Sequence, residues 1–210
     1  MTLIVDDCCD KSAFERMLQV ICGGVAVNRK TGEVFFTPYD YTSVECKCLR
    51  ALVESKYTVR IHSLPSPDSH VPDSRATSRG PDKTIGSCNG GATVTSSLSN
   101  ASMDGRGNPG SGTGADIYID TSNNHEAGYN TNSGGSQKKA PLSLILAHEL
   151  SSGHAFQSIT GTLPHPTDDS EVDEANRENA AIDCENRGWR RDHRAEGWRG
   201  RSFLRVPERQ

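Results

Sequence analysis

From Pro65 to Lys139 the chain is dominated by Gly, Ser, Asn, Thr, Asp and Pro, and no other feature limits its fold as much. A stretch this poor in apolar side chains cannot build a core. Loops of such length are uncommon in compact domains and are usually functional or poorly ordered. Two strand-like islands interrupt it, Ala92–Thr95 and Ala115–Asp120. Most of the core must therefore come from the two flanks. Over 210 residues, 33% hydrophobic and 24% charged side chains agree with a modest core and long surface loops. The length fits a single domain over 1–210, with a loop-rich region at about 64–140 and a basic tail at about 188–210.

The N-terminal flank is patterned. Phe14, Met17, Leu18 and Ile21 form an i, i+3, i+4, i+7 stripe that predicts a helix over 11–22, stopped by Gly23-Gly24. Val25 and Val27, then Val34 to Phe36, flank Asn28–Gly32 as a hairpin would. Val44, Cys48, Leu49, Leu52 and Val53 predict a second helix over 43–54. Tyr57, Val59 and Ile61 alternate with polar residues as in a half-buried strand. In the C-terminal flank, Pro141 suits a first helical turn before Leu142, Leu144, Ile145 and Leu146. Caps at Asp168, Asp169 and Ser170 open a last helix over roughly 171–187. The expected class is α+β, a small sheet packed by two or three helices.

The helix after Pro141 ends in His148-Glu149-Leu150-Ser151-Ser152-Gly153-His154. Zinc hydrolases of the H-E-x-x-H type place two imidazoles at i and i+4 on one helical face, with the Glu as general base. Here the second His stands at i+6, which on an unbroken helix leaves the rings about 120° apart. Removing Ser151 and Ser152 would restore the spacing. The insertion is either absorbed as a bulge, met by a break at Gly153 that returns His154 to the metal, or fatal to the site. A third ligand would come from the last helix. There Glu171, Glu174, Glu178 and Glu185 share a face, which would otherwise be a solvated acidic surface pairing with Arg177 and Arg187.

Several classes are disfavoured. A formal net charge of -4 gives no global attraction to nucleic acid or anionic membranes. No apolar run approaches a membrane span, and Met1–Asp7 lacks the form of a signal peptide. Gly105, Gly107, Gly110, Gly112 and Gly114 lack the strand-loop-helix context of a phosphate loop. Seven cysteines (Cys8, Cys9, Cys22, Cys46, Cys48, Cys88 and Cys184) without a C-x-x-C pair read as reduced thiols. His62 reads as a surface residue of its strand, His165 as a loop residue, and the His125-Glu126 pair as chance.

Three segments carry a family resemblance: Leu146–Leu150 with Gly153–Ala155, Glu178–Asn186, and the pattern from Phe14 to Ile61 that includes Lys30–Gly32 and Glu54–Ile61. Together they resemble the NleD-like zinc metallopeptidase effectors and toxins of bacteria. Glu178–Asn186 matches that family's Glu-x-x-Ala-Ile-x-x-Glu-Asn helix, and Gly188 lengthens the segment that follows. The resemblance implies a zincin-like active-site helix with Zn2+ held by His148, His154 and Glu178. Glu174 is the substitute for Glu178, Glu149 is the general base, and Asp183 or Asn186 are orienting partners of the histidines. It also implies a protein substrate in a target cell, delivery by a specialised secretion system, and a cognate immunity protein or secretion chaperone. Two other readings stand beside it. One is a non-catalytic relative that binds proteins. The other is a nucleic-acid module using Trp189, Trp198 and the Arg-rich tail, which acidic neighbours dilute.

Overall fold

Strand Leu3–Val5 (β1) leads into helix Lys11–Ile21 (α1), hairpin strands Val25–Val27 (β2) and Val34–Phe36 (β3), helix Val44–Glu54 (α2) and strand Val59–Leu64 (β4). A 3-10 turn at Gly86–Cys88 precedes strand Gly91–Thr95 (β5), the single turn Leu98–Ala101 (α3) and strand Ala115–Asp120 (β6). Strands Gly128–Asn130 (β7) and Gln137–Lys139 (β8) then precede helices Leu142–Glu149 (α4), His154–Thr160 (α5) and Ser170–Arg187 (α6). This computed structural model describes residues 3–38, 42–72, 83–122, 128–130, 137–150, 154–167 and 170–187, without the side chains of 128–130, 137–139, 170, 184 and 185.

Local chemistry sets the first helices. The Asp10 carboxylate accepts from the amides of Ser12 and Ala13 at 2.9 and 3.0 Å, capping α1. The Ser43 hydroxyl does the same for α2 through Cys46 at 3.1 Å. A disulfide joins Cys22, at the end of α1, to Cys46 in the first turn of α2. This corrects the expectation of reduced thiols. The two helices bring together cysteines far apart in sequence, which spacing alone does not reveal. Cys8 and Cys9 keep free thiols.

The architecture is α+β. The main sheet has the order β1-β4-β6-β5, with β1, β4 and β6 parallel and β5 antiparallel at one edge. β2 pairs with β3, and β7 with β8, as separate two-stranded sheets. Six α-helical segments stand among the described residues where two or three were expected. One extra is the turn α3, and another arises because the helix expected after Pro141 is split into α4 and α5. No helix of the described residues is long and apolar enough to cross a membrane.

Alternation along the strands makes two faces. Leu3, Val5, Val59, Ile61, Ala115, Ile117 and Ile119 are buried against α1, α2, α4 and α5 in the main core. Ala92 and Val94 point to the other face, where Val71, Ile85 and Cys88 cover them beside Leu64 and Tyr118. The glycine-rich connection to β6 packs backbone to backbone on the end of α5. Gly110 donates to the carbonyl of Gly161 at 2.8 Å. A Cβ on Gly161 (φ 71°) would lie 2.2 Å from the Gly110 carbonyl oxygen, so contact this close needs glycine. These glycines thus serve chain packing.

Candidate metal centre

α4 is apolar all round from Leu144 to Ala147 and buried from Ser143 to Glu149, because it lies between the sheet, α1 and α6. Helical geometry stops there. Leu150 has φ −90° and ψ −87°, and a separate helix begins at His154. The two-residue insertion is thus met by a break between α4 and α5. Ser151–Gly153 themselves lie outside the described residues.

The break brings the two rings together. His148 and His154 stand with ring centroids 5.4 Å apart and planes at 77°, edge to face. Glu178, from the middle of α6, reaches between them. Its Oε2 lies 3.5 Å from His148 Nε2, and its Oε1 lies 3.5 Å from His154 Nε2. Donor atoms of all three residues lie within 4.8 Å of one another, and the side chains are buried. Tetrahedral zinc with bonds of ~2.0–2.1 Å sets its donors ~3.4 Å apart, near the two 3.5 Å histidine–carboxylate separations and inside the 4.8 Å span of the set. This buried group can hold a metal ion.

Burial works to raise the Glu178 carboxyl, but His148 and His154 outweigh it and hold the group well below the usual carboxylate range. Glu178 is therefore an anion facing two imidazoles, a charge arrangement suited to a divalent cation.

Glu149, next to His148 but outside the three-residue group, is also buried. Its Oε2 accepts a hydrogen bond from the hydroxyl of Thr93 on β5 at 2.6 Å. The acid beside the first histidine is thus fixed to the sheet, and the acid on α6 faces the histidines.

The remaining sequence candidates are dispersed. Glu174 is half-buried and outside the group, Glu171 is exposed, and the Glu185 side chain is not described. Arg177 was expected at an acidic surface, yet it is buried, because α6 packs that side inward. Asp183 pairs with Arg187 at 2.5 Å, and Asn186 is half-buried. His165 is exposed, with Nδ1 2.9 Å from the Met103 carbonyl oxygen. His125, Glu126, Trp189, Trp198 and the basic tail lie outside the described residues.

His62 requires a correction. It is no simple surface residue. The imidazole is half-buried, stacks on Tyr118, and lies 2.9 Å from Asp6 and 2.8 Å from Asp116. Parallel pairing of β4 with β1 and β6 brings these three positions together, which strand alternation cannot reveal. Thr93 was missed in the same way: the island Ala92–Thr95 was legible, its neighbour in space was not. Comparison with protein-family models, curated proteins and solved structures finds no match to this chain.

Proposed function

We propose that this chain is a zinc-dependent endopeptidase of the effector or toxin kind, with His148, His154 and Glu178 as ligands and Glu149 as general base. The observation that supports it is the convergence of two imidazoles and an ionised carboxylate, with a second buried carboxylate alongside.

Donor chemistry favours zinc. Two imidazole nitrogens and one carboxylate form the three-ligand set of catalytic zinc sites, whereas calcium and magnesium prefer shells of oxygen. A zinc ion there supplies Lewis acidity, polarising a carbonyl and acidifying water. Glu149 takes the proton at its carboxylate and can return it to the leaving amine nitrogen. Burial of His148, His154, Glu178 and Glu149 themselves limits access of bulk water and strengthens these charge interactions. Action on a target-cell protein, delivery by a secretion system, and an immunity or chaperone partner draw their support from the likeness of the His148–His154 and Glu178–Asn186 segments to NleD-like domains.

The test is zinc content followed by proteolysis. About one zinc per chain is expected in the parent and in Glu149→Gln, with none in His148→Ala. On a cell lysate whose new N-termini are labelled and sequenced, the parent should generate cleavages that chelator abolishes and Glu149→Gln lacks. A zinc-loaded parent that generates none would refute the peptidase reading.

A further inference from the structure

We infer that β5 forms a seat for the Glu149 carboxylate, with Thr93 as a positioning residue and Gly91 as the gap that admits it. The inference rests on the proposed role of Glu149 and concerns how the chain orients that group.

Glu149 is the last residue of α4, immediately before the backbone leaves helical geometry at Leu150. A glutamate there has three side-chain torsions to lose and gains no orientation from its own helix. β5 supplies the orientation. The Thr93 hydroxyl donates to Oε2 at 2.6 Å, within the range of charge-assisted O–H···O⁻ bonds, and lies 3.5 Å from the Glu149 main-chain oxygen. Gly91, two residues earlier, lies on the same face of the strand. A Cβ built there would stand 3.0 Å from both Cγ and Oε1 of Glu149, and 2.7 Å from Cγ2 of Ile145. Any larger residue would push the carboxylate away.

The seat treats the two oxygens differently. Oε2 is anchored, while Oε1 has no hydrogen bond among the described residues and lies over the Gly91 gap. A proton acceptor needs a fixed plane and one open lone pair. Thr93 is not in the metal-binding group, so its loss should spare the metal. Antiparallel pairing with β6, Gly91 opposite Ile119 and Thr93 opposite Ile117, ties the seat on this edge strand to the body of the sheet.

The test uses acetohydroxamate, which chelates the metal and presents an acidic proton to an adjacent base. Parent, Thr93→Val, Thr93→Ser and Glu149→Gln are loaded with Co2+, and binding is followed in the visible spectrum. Equal metal content is expected in all four. Thr93→Val should bind acetohydroxamate about tenfold more weakly, as for loss of one hydrogen bond to a charged group. Thr93→Ser should stay within about twofold, since it keeps the donor. Combined with Glu149→Gln, Thr93→Val should add nothing, which a purely structural role would not give. Parent-like binding by Thr93→Val, or an equal loss when Glu149→Gln is already present, would overturn the inference. So would metal lost together with Thr93. A parent that binds no metal overturns the metal-centre reading itself, and metal content, measured first, tells the two failures apart.

Discussion

Two histidine–carboxylate clusters lie on opposite faces of the same sheet, and they differ in direction. On the helix-covered face His148 and His154 aim their Nε2 atoms at one carboxylate, so three donors converge. On the other face His62 is a single ring between Asp6 and Asp116, with one nitrogen toward each. The first arrangement leaves a point between donors that can take a cation. The second uses each donor atom in a hydrogen bond and diverges from any common point. Similar residue types thus give a group that can hold a metal ion in one place and a stitch between β1, β4 and β6 in the other.

The largest expected effect breaks the convergent cluster. His154→Ala and Glu178→Gln should each abolish zinc retention through dialysis, read by elemental analysis, while His62→Gln should retain about one zinc per chain. Next comes linkage. At free zinc about 100-fold above its Kd, the parent should gain about 2.7 kcal/mol in denaturant unfolding, and His148→Ala should gain almost nothing. His62→Gln should respond as the parent does.

A smaller effect sharpens the divergent cluster. The hydrogen bond to Asp116 raises the His62 pKa from 6.5, burial opposes it, and Asp6 adds to the rise. A raised folded pKa means the contribution is full below the unfolded value near 6.5 and is lost as pH climbs through the folded value. Urea unfolding should therefore show parent stability falling, relative to His62→Gln, as pH rises above that point. The smallest effect is expected at Glu174. Glu174→Gln should leave zinc content unchanged and alter stability by no more than about 1 kcal/mol.

The contrast also shows what a sequence can carry. Phe14, Leu18 and Ile21 announce α1 because helical periodicity is local, and the alternation in 57–61 announces β4 for the same reason. His148, His154 and Glu178 were legible as types in a pattern. Whether six residues of spacing could close on one metal was not, since that depends on where the helix breaks. Cys22 with Cys46, His62 with Asp6 and Asp116, and Thr93 with Glu149 were all unread. Each joins residues distant in sequence, and nothing in a single chain's spacing encodes which strands become neighbours.

X-ray absorption at the zinc edge of the zinc-loaded protein tests the central claim most directly. Cysteine sulfur is the competing ligand, although burial pushes Cys9 up to about 12 and keeps it protonated. A shell of nitrogen and oxygen donors at ~2.0–2.1 Å with imidazole scattering, lost in His148→Ala, is the expected result. A sulfur shell at ~2.3 Å, or a spectrum unchanged by His148→Ala, would contradict a metal centre at His148, His154 and Glu178.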